Sequence, residues 1–402
     1  MIYEKASSRA PLKIHGRKGT PCDVKTILRG IIMDHFYDTV VIGAGPAGMG
    51  CGIVLQKNNH EICVIDKAVF PRNKTCAGLV TGKTLDLLRS IFDGEDIDGL
   101  FCYTSPKIKL YKKTQLLTEA PISNSARLVN RIEFDNALVE KYKSLGGKIM
   151  EGERRISVDY AGNRVNLING DTVGYNNIVF ADGALSMSHK LLKFDKRKMA
   201  LGIEAYVPSD QLSCDSVDIY FDIIDGGYLW VFPHGDTVCV GAANLYNKKT
   251  DYKKIIVDFL RDIGVDPDKQ RYTGAFLPYG YVVPQDKLPD NVMLVGDAGG
   301  FTDPISGEGL YMSLRTGILA AEALSSSEPK KTYLKSVKPV SAIVKDGDKA
   351  QKLFFSPAIQ RTFLEKVRGK TGLVTYFYDN MVDEYRYDYS RVTKMYSDYK
   401  NR

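Results

Sequence analysis

Cysteine is scarce in this chain of 402 residues: there are seven, at positions 22, 51, 63, 76, 102, 214 and 239. Their number is odd, their spacing is wide, and no CxxC pair occurs. This argues against a zinc site or a disulfide framework and fits a reducing cytosol. No metal site is expected. There is no run of about 18 apolar residues, so no membrane-spanning helix is expected. The positive charges of the N-terminus are not followed by the apolar stretch of a secretory signal. Charge of one sign is not strongly in excess, the net being +7. That balance reads as a solvated basic surface, with attraction to anionic lipid headgroups or a phosphorylated substrate as the other reading. No basic run is interleaved with aromatics, so nucleic acid is not expected as a partner. There is no internal repeat, and tryptophan occurs once, at Trp230.

What is present is the balance of a globular protein long enough for two or three domains. Residues 1–32 carry Lys5, Arg9, Lys13, Arg17, Lys18, Lys25 and Arg29 without a period. They are read as a basic, disordered extension, with Met33 as the biological start. From there Asp38–Ile42, Ala47–Gln56 and Ile62–Asp66 alternate as strand, helix and strand, the unit of a parallel sheet. Shorter β-type runs with turn residues follow at Lys107–Tyr111, Val217–Phe221, Tyr228–Phe232 and Thr237–Ala242. Phe134–Leu145 reads as a helix and Asn176–Ala181 as a core strand. Val292–Val295 reads as a buried strand. In Gly309–Leu324 the residues Leu310, Leu314, Gly317, Ile318, Ala321 and Leu324 recur at helical spacing. The predicted architecture is α/β: a discontinuous Rossmann-like domain (33–102, 125–190, 286–330), an inserted antiparallel-sheet domain (103–124, 191–285), and a helical, peripheral C-terminal region (331–402).

Gly43-Ala44-Gly45-Pro46-Ala47-Gly48 is a GxGxxG that follows a strand and opens a helix, the context in which the pattern binds a dinucleotide. Gly43 permits the tight turn, Gly45 lets backbone approach a pyrophosphate, and Gly48 lets the helix pack against the strand. The helix N-terminus offers free N–H groups and a positive dipole end. Asp66 ends the second strand, where a carboxylate accepts from ribose hydroxyls and repels a 2′-phosphate. These residues do not separate FAD from NAD.

A second segment does so by resemblance. Val295-Gly296-Asp297-Ala298-Gly299-Gly300, Asp303-Pro304 and Gly307-Glu308-Gly309-Leu310 resemble the second FAD fingerprint of the p-hydroxybenzoate-hydroxylase-like flavoproteins. Arg131-Ile132-Glu133-Phe134-Asp135 resembles the RxxFD segment of that class, and Ala181-Asp182-Gly183-Ala184 its ADG segment. The resemblance implies FAD, with Asp297 on the ribityl chain, Arg131 near the cofactor, and the helix opened by Gly309 and Leu310 aimed at the flavin N1–C2 edge. Gly43–Gly48, Asp66, Lys67, Cys76, Ala77, Arg131, Asp182, Gly183, Gly296, Asp297, Gly307, Gly309 and Leu310 are the expected cofactor residues.

Within that class, Tyr228-Leu229-Trp230-Val231-Phe232-Pro233 with Gly241 resembles the YxWxFP…G motif of geranylgeranyl reductases. Arg72-Asn73-Lys74-Thr75-Cys76-Ala77-Gly78 resembles their cysteine segment. The match runs from Met33 to about residue 325 and departs in reading CAGL and DAGGF and in having Asp66 where Glu is commoner. On a strand, Tyr228, Trp230 and Phe232 share one face. That face is either the floor of an apolar pocket or sheet core. Cys76 is either close to the flavin, supplying a proton or guiding the substrate, or a small packed residue; Arg72 and Lys74 would lower its pKa if they pointed inward. His234 reads as an exposed turn residue.

The resemblance implies an FAD-dependent oxidoreductase that reduces carbon–carbon double bonds of a prenyl or other hydrophobic substrate. Cys76, Tyr228 and Trp230 are the expected catalytic residues, and Tyr228, Trp230, Phe232 and Pro304 the expected substrate contacts. There is no second strand-flanked GxGxxG, so the electron donor, NAD(P)H or a reduced carrier, is expected to dock transiently. A lipid substrate would imply peripheral membrane contact, for which the Lys- and Tyr-rich tail is a candidate. The alternatives are an FAD monooxygenase and a non-enzymatic flavin-binding or membrane-docking module. A halogenase needs two tryptophans in its WxWxIP segment, which this chain lacks.

Overall fold

The computed structural model describes residues 35–193, 198–244, 250–383 and 391–401. The expectations for residues 1–32 and for Met33 lie outside the described residues.

The first sheet is mainly parallel. His35–Ile42 pairs with Ile62–Ile65 on one side and Thr172–Phe180 on the other. Lys148–Met150 extends it beyond Ile62–Ile65, and Val292–Leu294 lies beside the end of Thr172–Phe180. The short strands Ser157–Asp159 and Arg164–Asn166 add an antiparallel flap. Ile62–Ile65 is buried on both faces, as expected of a parallel strand covered above and below. The helices Pro46–Lys57 and Leu310–Leu324 cover one face. They meet almost backbone to backbone: a Cβ on Gly317 would lie 2.1 Å from the Ala47 carbonyl oxygen, and one on Gly50 3.0 Å from that of Leu314. The two glycine-rich fingerprints, far apart in sequence, are thereby joined through one helix pair.

The second sheet runs in the order Tyr272–Pro278, Met199–Pro208, Thr237–Asn244, Gly227–His234, Val217–Phe221, Tyr103–Lys112, Gln115–Leu128, Leu79–Val80. It is antiparallel except where Val217–Phe221 and Tyr103–Lys112 pair in parallel. Those two strands come from separate insertions, so no hairpin dictates their relative direction. Gln115–Leu128 runs past residue 124, where the reading placed a boundary. Its pairing with Tyr103–Lys112 shifts register between Ser105 and Lys107, and the polar stretch Ser123-Asn124-Ser125 hides the strand's continuation. Leu79–Val80 also belongs to this sheet rather than the first.

One face of the second sheet, with Leu229, Val231, Val238 and Val240, packs under the helix Tyr252–Asp262 through Ile256, Phe259 and Leu260. The other face carries Leu110, Val217, Phe221, Trp230, Phe232 and Ala243, against which Leu364, Val367, Leu373, Val374 and Tyr378 are packed. Side chains of this size contribute roughly 1.5–3 kcal/mol each when buried. The region after residue 331 is helical, as expected: Pro329–Phe354, Pro357–Val367, Thr371–Phe377 and Val392–Lys400. It is not peripheral. Its apolar stripe roofs the sheet, and Asp383 ties it down, accepting from the Gly82 N–H and from Asn124 Nδ2.

Candidate active site

The end of the strand His35–Ile42 delivers the chain into a tight turn at Gly43, whose φ of +105° favours glycine. A Cβ there would lie 2.5 Å from the Ala181 carbonyl oxygen, and one on Gly48 would lie 1.8 Å from that of Gly43. These two glycines allow strand, turn and helix to close up. Gly45 is different. It caps the helix in ordinary extended geometry, φ −74°, and a Cβ there would meet only Arg72 Nη2, at 3.6 Å. The space above it is the cleft. Asp66, 8% exposed, accepts from the N–H of Ala44 at 2.6 Å and of Ala68 at 2.7 Å, which braces the turn; Lys67 stands exposed at the cleft margin.

Opposite Gly45 lies a buried charge cluster. Asp135, one turn into the helix Arg131–Ser144, receives Arg131 in bidentate fashion (Nε–Oδ1 and Nη2–Oδ2, both 2.8 Å) and Arg72 Nη2 at 3.0 Å. Arg72 Nη1 is buried and has no hydrogen-bond partner among the described residues. Arg72 thus points at Asp135 and the cleft above Gly45 rather than serving Cys76.

The second fingerprint closes the other end. Gly296–Gly299 forms a short 3-10 turn; a Cβ on Gly296 would lie 2.9 Å from that of Ala47. Asp297 faces the cleft, and its Oδ1 accepts from Thr302 Oγ1 at 3.1 Å. Burial pushes the Asp297 carboxyl up, and that of Asp182 likewise. Asp182 accepts from the Met187 N–H, and Gly183 follows it at φ +80°. Gly307 and Gly309 lead into Leu310–Leu324, so a second helix N-terminus opens on the same cavity. Of the expected residues, Ala44, Gly48 and Gly296 lie behind its wall as packing. Pro304 is also off the wall: it is buried, its carbonyl accepts from Gln351 Nε2 at 2.8 Å, and its neighbours Ile305 and Ser306 line the cleft instead.

The cavity has a volume of about 1260 Å³, and it continues from this cradle onto the second sheet. Tyr228, Trp230 and Phe232 line it together, from one face of the strand Gly227–His234 as the alternation predicts. Gly241 sits beside Trp230 in register; a Cβ there would lie 2.2 Å from the indole Cζ2, so glycine lets the ring lie flat. Tyr228 Oη donates to the Ser306 carbonyl, joining the floor to the second fingerprint. Phe354 and Phe363 of the C-terminal helices meet Phe221 with ring centroids 6.3 and 6.1 Å apart.

The chain is similar to several known proteins. Residues 37–206 match the pyridine nucleotide-disulphide oxidoreductase family. An uncharacterised protein of Methanosarcina barkeri is 30% identical over 296 residues, 72% of this chain and 75% of its own. A menaquinone reductase of Mycobacterium tuberculosis is 26% identical over 320 residues (74% and 78%). A digeranylgeranylglycerophospholipid reductase of Methanococcus aeolicus is 28% identical over 339 residues (75% and 81%). Over about three quarters of its length the chain is similar to reductases of the geranylgeranyl type. It is an FAD-dependent oxidoreductase. The geranylgeranyl bacteriochlorophyll reductase-like protein of Thermoplasma acidophilum has the same fold, with a TM-score of 0.68, 17% identity and coverage of 85% and 92%. An oxygenase and a halogenase share it as well.

FAD fits the residues present. The open ground above Gly45, the unpartnered Arg72 N–H and the first helix N-terminus suit a pyrophosphate, while Asp297 and the second helix N-terminus suit the flavin half. Three residues of the site give no signal in the sequence. Arg72 stands in sequence beside Cys76, and its partner Asp135 lies on a distant element. Glu204, 2% exposed, lines the cavity and accepts from the Cys76 N–H at 2.9 Å; burial pushes its carboxyl up to about 7. His234 is 6% exposed, not in an open turn. The hairpin turns at Gly235-Asp236, so His234 pairs with Thr237, and its Nε2 donates to the Ala77 carbonyl at 2.8 Å. Burial pushes the pKa of this imidazole down. Cys76 is half-buried between Glu204 and Tyr206, whose Oη donates to its carbonyl at 3.2 Å. Among the described residues no cluster of three metal-ligating side chains and no helix long and apolar enough to cross a membrane occurs.

Proposed function

We propose that the protein reduces carbon–carbon double bonds in a long apolar substrate of the prenyl type. The observation that carries this reading is continuity: one cavity runs from the two glycine-rich cradles onto an aromatic floor and under an aromatic roof. A polar aromatic substrate would leave most of that lining without complementary partners, whereas an unsaturated hydrocarbon chain matches it.

In this reading Gly45, Arg72 and the first helix N-terminus hold the FAD pyrophosphate, and Asp297, Gly307 and Gly309 hold the ribityl and ring end. When bound and reduced, FAD supplies the hydride. The chain's own work is to bring the double bond against the ring with Tyr228, Trp230 and Phe232 and to keep water away from it. Leu353 and Ile359, 66% and 48% exposed, line the cavity at its rim and give an apolar chain its way in, from a membrane surface if the substrate is a lipid. The donor that reduces FAD, NAD(P)H or a reduced carrier, docks transiently.

The test is to incubate anaerobically reduced enzyme with a panel of polyprenyl compounds and follow their mass. A gain of one pair of hydrogens per double bond supports the proposal. No gain across the panel, with oxygen inserted into an aromatic compound when air is admitted, overturns it in favour of a monooxygenase. Trp230→Ala is expected to keep the yellow colour and lose turnover on the order of 10²-fold through misplacement of the substrate; unaltered kinetics would remove this strand from substrate binding.

A further inference from the structure

Reduction of an alkene needs a proton as well as a hydride, and the cavity contains a carboxyl placed to give one. The strand Met199–Pro208 turns Gly202 and Glu204 toward the cavity and Leu201 and Ile203 toward the opposite core. Glu204 pairs with Gly241, which pairs with Trp230 on its other side. The glutamate and the indole therefore flank a bare glycine in one row across the floor. Glu204 Oε1 is held by the Cys76 N–H, and Oε2 lies 3.8 Å from Cys239 Sγ. The groups that face it are Lys74 and Cys76 from the overlying segment, Arg131 from its helix, Cys239 from the next strand and Tyr206 from its own. Both arginines nearest the cradle are committed to Asp135, and among the described residues no cation makes an ion pair with Glu204.

We propose that Glu204 is the proton donor of the reaction, giving its carboxyl proton to one carbon of the substrate double bond while the other carbon takes a hydride. The step balances. The π bond breaks and two C–H bonds form. The two electrons arrive with the hydride from dihydro-FAD, which is oxidised, and Glu204 is left as a carboxylate that regains a proton from water. Cys76, whose sulfur accepts from the Gly78 N–H at 3.4 Å, is then a neighbour that Glu204 helps to position. The inference rests on the alkene-reductase reading above.

A glutamine at 204 keeps an oxygen to accept the Cys76 N–H and loses the transferable proton, which separates a proton donor from a mere support. E204Q is expected to bind FAD with an unchanged visible spectrum and to hold KM, while kcat falls on the order of 10²-fold or more. The carboxyl sits near 7 because of burial, so wild-type kcat should be level at acid pH and decline as pH rises through neutrality. E204Q should lose that decline, and E204D should restore part of the rate. Independently of turnover, the infrared difference between wild type and E204Q should contain a protonated-carboxyl C=O band well below neutrality that fades as pH rises through about 7. Wild-type kcat and an unchanged pH profile in E204Q, or absence of that band, would overturn the assignment. A wild-type enzyme that reduces no alkene fails at the earlier step and takes this role down with the reductase reading, an outcome distinct from an active wild type matched by E204Q.

Discussion

Gly45→Val is expected to yield a folded, colourless protein. The three glycines of the first fingerprint look equivalent on paper and are not. A side chain at Gly43 would meet the Ala181 carbonyl, and one at Gly48 would meet the Gly43 carbonyl, both far inside van der Waals contact. Substitution at either should cost several kcal/mol by forcing backbone apart, on the scale of severe overpacking, about 3 kcal/mol or more. Gly45 has extended backbone that any residue adopts and nothing nearer than the tip of Arg72. Valine there fills only the ground where a pyrophosphate would rest. Purified G45V should therefore unfold in urea like the wild-type apoprotein, lack flavin absorbance and fail to regain it when FAD is added. Retained yellow colour would mean that the phosphates lie elsewhere.

The second large effect is expected on stability. Asp135 is wholly buried and serves two guanidinium groups. Asp135→Ala leaves Arg131 buried and Arg72 partly buried without a counter-charge, and breaking a buried ion pair in this way costs about 3–5 kcal/mol. The urea midpoint of the apoprotein should fall accordingly. FAD should recover part of the loss, because a bound pyrophosphate supplies negative charge beside Arg72 and a ligand that binds only the folded state stabilises it. A midpoint within the error of wild type would mean that water reaches the cluster.

Much of this site was legible because its signals are local. A strand, a GxGxxG and a helix stand together in sequence, and so do Gly307, Gly309 and the helix they open. The alternation of Tyr228, Trp230 and Phe232 predicts their common face without any tertiary knowledge. Glu204 gave no such signal, since a glutamate alternating with apolar residues reads as the wet side of a strand; only the distant Cys76 segment folding over it makes that side dry. Arg72 is similar, its partner Asp135 coming from another element. The residues after 331 look peripheral in sequence for a related reason. Their many lysines mark the outer faces of the helices, while the aromatic stripe beneath acquires meaning only when the second sheet lies against it.

The roof has one more implication. The two glycine-rich cradles are formed by residues before 330, whereas Phe354, Phe363, Val367 and Leu373 line only the chamber that continues from them. The roof of the chamber and the two glycine-rich cradles thus lie in separate stretches of polypeptide. Substitution in the last quarter of the chain can therefore reshape that roof and leave both cradles as inherited.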